Sequence, residues 1–460
     1  MFALLNFLPT TLLYLFLFHT DMIDISLVRA DTAGVKANIA KRNNPAYNAQ
    51  LQELIAVDAD WRTLKTKIDG LRQKRNTISL RINEAKKAGK EIQTITREAK
   101  ELPQQVATAE EALKKVEQRM RVLLCKVPNL IHDSVPAGTD AAQNKVVKEF
   151  GKIKKPKFAL KSHVDLALAN DWIDLDRASK ITGSRWYFLK GDLAILEMAL
   201  ARFGVDFMRK KGFQFVVPPH MMNKAAYEGV TDFSAFEDML YKIENDDLYT
   251  IATSEHPLTA QFMNEILEEK QLPIKIAGYS TNFRKEAGAH GKDQKGIFRV
   301  HQFNKVEQII ISKPEDSWKM HEELAANAAE FWKKLEVPFH QIVLCSGDTG
   351  AVSAKTYDFE AWYPVQQAYR EVGSCSNVTE YQSRGLNIRY GAERKFCHTL
   401  NSTLVATSRA LVALLENHQQ PDGSVNIPKA LHKYTGFKVM KAKRTLHNHE
   451  KKRQRSLREV

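Results

Sequence analysis

Residues 61–124 hold the pattern that most limits how this chain can fold. Apolar residues recur there at steps of three and four, stop at KKAGKE, and then resume. Such spacing places an apolar stripe on each of two helices, and the short turn between them predicts an antiparallel coiled-coil hairpin. About 30 residues per helix would give an arm roughly 45 Å long. The predicted core positions are Trp61, Leu64, Ile68, Leu71, Arg75, Ile78, Ile82 and Ala85, followed by Leu102, Val106, Ala109, Leu113, Val116, Met120 and Leu123.

The first helix of the hairpin is strongly basic. Residues 61–90 hold ten Lys/Arg and two acids, whereas residues 91–124 hold six of each. This charge is compatible with a solvated helix face or with a surface that binds a phosphate backbone. Pro103 is expected near the start of the second helix, where a proline is tolerated. The net charge of +14 favours a polyanionic partner, nucleic acid before an acidic membrane surface, although a basic soluble surface is also compatible with it.

Both ends of the chain differ from the rest. Residues 1–21 form an apolar leader interrupted by Pro9, without the basic start or the A-x-A cleavage site of a signal peptide. We expect this leader to be foreign to the fold and Met22 to be an ordinary protein start. The tail, 438–460, has nine Lys/Arg and two acids, and we expect it to be disordered or weakly helical. A weak nucleic-acid contact and a solubilising role are equally compatible with that tail.

The chain beyond the hairpin predicts a mixed domain. A Pro-, Gly- and Asp-rich segment at 127–140 marks the domain boundary. Helices are predicted at 192–211 and 403–418, and strands that cluster without regular intervening helices indicate a mostly antiparallel sheet. The predicted fold class is therefore α+β, a coiled-coil hairpin arm followed by a sheet flanked by helices. The predicted strands are 213–217, 274–278, 298–303, 307–311, 339–344, 357–363 and 369–372.

Several common cofactor motifs do not occur in the sequence. There is no G-x-x-x-x-G-K-[ST] phosphate loop and no G-x-G-x-x-G, so a nucleotide would have to be bound in another way. The four cysteines are widely spaced, and no CxxC or HxxxH pairing predicts a zinc site formed by neighbouring residues. So few cysteines in a chain of 460 residues fit a reducing compartment.

Candidate functional residues are most concentrated in residues 283–308, FRKEAGAHGKDQKGIFRVHQFNKVEQ. Arg284 and Arg299 flank a flexible glycine-bearing loop, and their planar guanidinium groups suit a triphosphate. Glu286 could accept a hydrogen bond from an exocyclic amine. Glu307 lies in an apolar strand, where a carboxylate predicts a cationic partner such as a substrate ammonium. The alternative is a charged β-hairpin with a glycine-rich tip.

The partner of Glu307 is a separate question. Alternation along NKVEQII places Val306 and Gln308 on the face opposite Glu307, and we expect the same alternation to exclude Lys305 as its partner. An unpaired carboxylate in a core is costly. A substrate ammonium or another internal lysine is therefore expected beside it.

Two further segments add charge to the same chemistry. Arg409 stands in the first turns of an apolar helix after the polar strand TLNSTLVATS, and a basic side chain there predicts a facing anion. Glu371 ends an apolar strand and brackets a short turn together with Ser374. These segments make a simple charged hairpin a weaker interpretation.

Together these segments resemble the seryl-tRNA synthetases, a family of class II aminoacyl-tRNA synthetases, from about Met22 to Phe437. The 283–308 segment resembles motif 2 of that family, and TLNSTLVATSRALVALLENHQ resembles motif 3. GVDFMRKKGFQFVVPPHM resembles motif 1 at the class II dimer interface, and TSEHPL resembles the substrate-binding Thr-x-Glu. The hairpin with VPNLIHDSVPAG resembles the family's tRNA-binding domain. The resemblance implies a tRNA-binding domain over 22–130 and a catalytic domain over 131–437.

The resemblance also implies a site for ATP, Mg²⁺ and serine. Arg284 and Arg409 would hold the ATP phosphates, and Arg299 would contact the α-phosphate or the serine carboxylate, which makes these three the catalytic residues. Glu371 and Ser374 would help to hold Mg²⁺. The implied ATP-binding residues are Arg284, Lys285, Glu286 at the adenine amine, Val300, Phe303 stacked on the ring, Glu371, Val372, Gly373, Ser374 and Arg409. The implied serine-binding residues are Thr253, Ser254, Glu255, Glu307 at the ammonium, and Asn401 and Thr403 at the hydroxyl.

The implied activity is that of a serine–tRNA ligase. It would form seryl-adenylate from L-serine and ATP and transfer serine to tRNA(Ser), and to tRNA(Sec) where that is present. A cytoplasmic homodimer without stable membrane association is expected. A class II ligase that loads a carrier protein would lack the arm, and a non-catalytic tRNA-binding paralogue should have lost Arg284, Glu286, Glu307 or Arg409. The chain departs from the family at Gly373, where the first of two consecutive serines is usual, and in the residues before Arg409, where many members carry glycine or proline.

Overall fold

The computed structural model describes residues 22–89, 91–286 and 296–443. The chain forms two compact units, the first ending at Ile131 and the second beginning at His132. Within the described ranges, no helix is both long and apolar enough to span a bilayer. The expected leader, the glycine-bearing loop up to Lys295 and the tail beyond Lys443 lie outside the described residues.

Two long antiparallel helices form most of the first unit. The longer one begins at Pro45, and the side chain of Asn44 caps it by accepting a hydrogen bond from Ala46 N at 3.0 Å. It ends before Gly89, whose φ of +65° is the left-handed geometry that lets the chain turn back. The helices of this unit are α1 Ile25–Ala30, α2 Thr32–Ala40, α3 Pro45–Lys87 and α4 Gln93–Lys126.

The predicted coiled-coil positions are buried or half-buried, with one exception. Arg75 is exposed, because a guanidinium is better solvated than buried in an apolar seam. The first helix also begins earlier than the predicted residue 61, since Leu51 joins an apolar cluster with Leu123 at the base of the hairpin. The prediction for Pro103 was wrong as well. It lies inside α4, well beyond the first turn.

Acidic residues of α4 neutralise part of the basic charge of α3. Arg72 contacts Glu110 at 2.7 Å, and Lys74 contacts Glu98 at 2.6 Å. Exposed pairs of this kind each contribute about 0–1 kcal/mol. Other exposed cations of α3 make no salt bridge within the described part of the chain, and these are Lys67, Arg75, Arg81, Lys86 and Lys87.

An eight-stranded sheet is the centre of the second unit. Its strand order is β1-β10-β11-β12-β15-β9-β8-β4, and every pairing is antiparallel except the parallel pair of β4 with β8. The predicted α+β class with a mostly antiparallel sheet is thus confirmed. The strands of this sheet are β1 Lys145–Phe150, β4 Gln214–Val216, β8 Ile274–Phe283, β9 Gln302–Ser312, β10 Phe339–Val343, β11 Lys355–Tyr363, β12 Ala368–Thr379 and β15 His398–Ala406.

Shorter strands form small two- and three-stranded sheets around the main one. They are β2 Ile173–Asp174, β3 Phe188–Leu189, β5 Met221–Met222, β6 Tyr249–Thr250, β7 Ile266–Leu267, β13 Arg389–Tyr390, β14 Lys395–Phe396, β16 Val425–Asn426 and β17 Val439–Met440.

Three helices supply much of the apolar core that packs against the sheet, and they are α7 Gly191–Lys210, α11 Ser317–Lys334 and α13 Thr407–His418. Leu200 of α7, Leu324 of α11 and Leu411 of α13 are all fully buried there. Full burial of a leucine contributes about 1.5–3 kcal/mol, so this core holds the middle strands in place. The helices of the second unit are α5 His163–Ala169, α6 Leu175–Thr182, α7 Gly191–Lys210, α8 Lys224–Val230, α9 Phe233–Phe236, α10 Glu255–Ala260, α11 Ser317–Lys334, α12 Tyr381–Gly385, α13 Thr407–His418 and α14 His432–Thr435.

Two predicted elements differ from the structure. The predicted strand at 298–303 is mostly a bend, and β9 begins only at Gln302. The amide of His301 donates to Arg185 O at 3.2 Å and not to a neighbouring strand, although its carbonyl oxygen accepts from Arg284 N at 2.9 Å. The predicted helix at 403–418 begins at Thr407, because the preceding residues continue β15 in register with β9.

Candidate active site

A pocket of about 510 Å³ opens beside the middle strands of the sheet. The end of β8, the start of β9, β12, β15 and the first turn of α13 contribute its walls. The residues that line it are Arg284, Glu286, Phe298, Arg299, Val300, Phe303, Lys305, Glu371, Val372, Gly373, Thr403, Ala406, Ser408 and Arg409.

Most of the predicted ATP residues lie on this pocket. Lys285 and Ser374 are the exceptions. The amide of Lys285 donates to Met239 O at 3.0 Å, and its ammonium lies 5.8 Å from the centre of the Tyr241 ring. Sequence reasoning missed Phe298, whose ring lies 5.5 Å from the Arg409 guanidinium. Its position two residues after the glycine-bearing loop was the available signal.

Three arginines give the pocket its charge. Arg284 donates from Nε to Ala252 O at 3.2 Å and stacks over Phe303, with 5.3 Å from the guanidinium to the ring centre. Burial, and next the nearby Arg409 guanidinium, lower the pKa of Arg284 from its ordinary value. Arg299 contacts the carboxylate of Glu286 at 3.3 Å. The guanidinium groups of Arg284 and Arg409 repel each other unless an anion lies between them, so this side of the pocket is suited to phosphate. We call Arg284, Arg299 and Arg409 the arginine wall.

The start of α13 adds to the same positive field. Arg409 stands in the first turn of this 12-residue helix, and its guanidinium contacts the carboxylate of Glu371 at 3.0 Å. The first turn of a helix carries partial positive charge, so α13 also favours an anion in the pocket. The Arg409 guanidinium lowers the pKa of Glu371, which therefore stays ionised. Glu371 is 45% exposed and remains accessible to a ligand.

A second carboxylate, Asp358 of β11, lies close to Glu371 of the neighbouring strand β12. Asp358 of β11 is directly opposite Ser374 of β12, and burial together with the Glu371 carboxylate raises the pKa of Asp358. Among the described residues, no group of three or more His, Cys, Asp or Glu side chains could hold a metal by itself. One or two carboxylates completed by substrate phosphates are the usual Mg²⁺ environment. The carboxylate of Glu371, which lines the pocket, fits that environment, whereas Ser374 does not line the pocket and its side chain hydrogen-bonds with Asp358.

Close packing against Thr403 explains why a glycine occupies position 373. A Cβ added to it would lie 3.0 Å from the Thr403 Cβ and 3.2 Å from the Thr403 carbonyl oxygen. These contacts are tighter than most side-chain contacts, so Thr403 would have to shift by a few tenths of an ångström. Glycine at this position therefore lets β12 approach Thr403 on β15.

Three of the predicted serine-binding residues, Thr253, Glu307 and Thr403, form a cluster around Lys305. Its Nζ lies 2.6 Å from both Thr253 Oγ1 and Glu307 Oε2, and Lys305 and Glu307 are almost fully buried. Thr403, directly opposite Glu307 on β15, donates from Oγ1 to Glu307 Oε2 at 3.2 Å. Because Lys305 also lines the pocket, it joins the arginine wall to the serine cluster.

The expectation that strand alternation excludes Lys305 was wrong. Residues two apart in a strand point to the same face, so Lys305 and Glu307 lie side by side whereas Val306 faces away. The available signal was this period of two. Only the fold, however, brings Thr253 to the same point, because it lies 52 positions earlier in the sequence.

Glu255 is a second carboxylate beside the cluster. Its Oε1 accepts a hydrogen bond from Gln382 Nε2 at 2.8 Å, and its amide donates to Thr253 Oγ1 at 3.2 Å. Burial, and next the Glu307 carboxylate, raise the pKa of Glu255. Ser254, which precedes Glu255, and Asn401, two residues before Thr403, are both buried, but neither lines the pocket.

Comparisons with known proteins agree with this arrangement. Residues 22–131 match the family model described as the seryl-tRNA synthetase N-terminal domain, and residues 238–418 match the tRNA synthetase class II core domain (G, H, P, S and T). The serine–tRNA ligase of Methanocella arvoryzae is 48% identical over 90% of this chain and 98% of its own length.

Two solved structures are similar in fold as well as in sequence. The seryl-tRNA synthetase of Pyrococcus horikoshii, complexed with ATP, is 42% identical with a TM-score of 0.89, covering 92% of this chain and all of its own. The cytoplasmic serine–tRNA ligase of Naegleria fowleri, in complex with AMP, is 32% identical with a TM-score of 0.82, covering 89% of this chain and 96% of its own. This chain therefore belongs to the seryl-tRNA synthetase family.

Proposed function

We propose that the protein is a serine–tRNA ligase that activates L-serine with ATP and transfers it to tRNA(Ser). One observation carries the proposal. The arginine wall of the pocket is continuous, through Lys305, with a buried cluster of Thr253, Glu307 and Thr403. Such an arrangement provides a cationic site for phosphates next to a small polar site for an amino acid.

The ATP phosphates are assigned to Arg284 and Arg409, and the α-phosphate or the serine carboxylate to Arg299. The serine carboxylate attacks the α-phosphorus in line, and pyrophosphate leaves. Positioning and the stabilisation of negative charge supply the catalysis, so no protein base has to be present. Phe303 and Glu286 are assigned to the adenine ring and its amine.

Mg²⁺ is proposed to be held by Glu371 and Ser374 together with ATP. The ion would neutralise charge on the phosphates and on the departing pyrophosphate. The half-exposed Glu371 carboxylate, kept ionised by Arg409, supports this assignment.

The serine ammonium is assigned to Glu307 and Thr253, and the serine hydroxyl to Thr403 and Asn401. A site that hydrogen-bonds a hydroxyl discriminates strongly against alanine, because its buried polar groups would be left unpaired. Threonine would have to be excluded by the size of the site.

The helical arm is proposed to bind tRNA within a domain spanning 22–130, and residues 131–437 to catalyse the reaction, followed by the basic tail 438–460. The exposed cations of α3 that make no salt bridge within the described ranges support a phosphate contact. Transfer of serine to tRNA(Sec), where that tRNA is present, is part of the same proposal. We also assign the protein to the cytoplasm.

A homodimer is proposed through the motif 1 region. The outermost strand β4 leaves Phe215 at 38% exposure and is followed by Val217 at 60%, and α7 exposes Met198 at 66%. Exposed apolar side chains on the outermost strand and on the preceding helix support a contact with another chain. A second copy of this chain is the assigned partner.

ATP–pyrophosphate exchange tests the proposal directly. Exchange should depend on L-serine and should be weak with threonine, alanine or glycine at equal concentration. Charging of tRNA(Ser) with labelled serine should then require the arm. Exchange that is independent of serine, or as strong with another amino acid, would reject the assignment.

A further inference from the structure

Residues 145–161 of the second unit form a basic surface that the proposed chemistry does not use. The segment comprises β1 and the irregular stretch that follows it, and it contains one acid, Glu149. We call its seven lysines the lysine edge. They are Lys145, Lys148, Lys152, Lys154, Lys155, Lys157 and Lys161, and all are exposed.

The charge of the lysine edge is not neutralised by ion pairs among residues 22–89, 91–286 and 296–443. None of its lysines makes a salt bridge with any residue that the structure describes. Exposed lysines elsewhere in the same unit do, as in Lys211 with Glu330 at 2.6 Å and Lys270 with Glu268 at 2.7 Å. Seven uncompensated cations within 17 residues create a local positive potential that attracts a polyanion.

The stretch that carries these lysines is fixed at both ends. Gly151 has a φ of +76°, and a Cβ there would lie 3.1 Å from the Pro338 Cα. Lys161 N donates to Gln419 Oε1, and Gln419 Nε2 donates to Lys161 O, both at 2.9 Å. An anchored stretch presents its ammonium groups at a smaller entropy cost than a free tail would.

Protection of a sheet edge does not account for the whole surface. β1 is the outermost strand, and lysines on such strands prevent edge-to-edge pairing. That explains Lys145 and Lys148. It does not explain Lys152, Lys154 and Lys157, which follow the end of the strand at Phe150.

We propose that the lysine edge binds the phosphate backbone of tRNA, as a contact on the catalytic unit additional to the helical arm. The inference rests on the proposed function, which supplies the polyanionic substrate. Contacts to phosphate position a nucleic acid without reading its sequence. The lysine edge should therefore contribute affinity and salt dependence rather than specificity for one tRNA.

The test compares two variants that lose the same charge. The first is K152Q/K154Q/K155Q/K157Q. The matched control is K211Q/K224Q/K270Q/K334Q, whose lysines are exposed and salt-bridged. Direct binding of tRNA(Ser), the KM for tRNA and serine-dependent pyrophosphate exchange are measured between about 50 and 200 mM salt. Binding to anionic phospholipid vesicles is measured in parallel.

The lysine-edge variant should bind tRNA at least tenfold more weakly at low salt, and its slope of log affinity against log salt should fall by at least about 1. Exchange and melting temperature should match the control. Equal tRNA binding and equal slopes in the two variants would overturn the proposal, as would normal tRNA binding with lost binding to anionic phospholipid vesicles. Direct tRNA binding does not require catalysis, so a failure of serine activation would be recognised separately.

Discussion

The buried pair of Lys305 and Glu307 permits a prediction that separates stability from substrate binding. Glu307→Gln keeps the size of the side chain and removes its charge, which leaves Lys305 buried beside a neutral amide. Breaking one side of a buried ion pair costs about 3–5 kcal/mol. Because Thr253 Oγ1 still accepts from Lys305 at 2.6 Å, we expect the lower end, about 3 kcal/mol, and a melting temperature lower by several degrees.

The same change should weaken serine binding. A hydrogen bond to a charged group contributes about 1.5–3 kcal/mol, so the KM for serine should rise at least tenfold. The KM for ATP should change little, because the arginine wall remains intact. Melting is followed by calorimetry, and both KM values are measured by pyrophosphate exchange.

The double variant Lys305→Met/Glu307→Gln decides between the two roles of Glu307. It contains no unpaired charge, so most of the lost stability should return. The KM for serine should nevertheless stay high if Glu307 binds the substrate ammonium. Recovery of both the melting temperature and the serine KM would mean that Glu307 only balances Lys305.

A matched control is available in the same unit, between β8 and α11. Lys275 contacts Glu323 at 2.7 Å, and the two side chains are 25% and 31% exposed. Since a partly exposed pair contributes about 0–1 kcal/mol, Glu323→Gln should have little effect on melting and none on serine KM. A comparable loss in this control would show that the effect at Glu307 does not depend on burial.

Three other predictions concern the arginine wall, the arm and a buried histidine. Arg284→Ala should reduce pyrophosphate exchange by roughly 10²–10³-fold, and near-normal exchange would remove Arg284 from the phosphate site. Deletion of residues 66–118 should preserve serine-dependent exchange and abolish tRNA charging; charging with an unchanged KM for tRNA would limit the arm to a structural role. Burial lowers the pKa of His321 to about 4, below its ordinary value in the unfolded chain. The unfolded state therefore takes up the proton first, and the free energy of unfolding should fall as pH drops from about 6.5 to about 4. His321→Gln should make that fall smaller in urea titrations at several pH values, and an unchanged pH dependence would contradict the reasoning.

The hairpin arm could be predicted because its information is local. A helix places residues three and four apart on one face, so the apolar steps in 61–124 identify both the helices and their contact. The earlier start of α3 at Pro45 could not be predicted from the local spacing of apolar residues. It depends on Leu51 packing with Leu123, residues that are far apart in the chain.

The charged residues of the pocket could also be selected from the sequence. Arg284, Glu371 and Arg409 each stood out as charges next to apolar segments, and the structure places all three around one pocket. Their resemblance to known motifs assigned roles that the residues alone left open. The bend before β9, by contrast, was predicted as a strand, because an apolar run does not reveal where its backbone hydrogen bonds go.

Only the tertiary structure decided which groups meet. In the sheet, β15 lies between β12 and β9, so Thr403 comes to rest opposite Glu307 although 96 positions separate them. Lys305 gains Thr253 as a partner in the same way. A sequence pattern fixes the face on which a side chain lies, since that depends on the periodicity of the backbone. The neighbour across the strand depends on sheet order and register, which long-range packing determines.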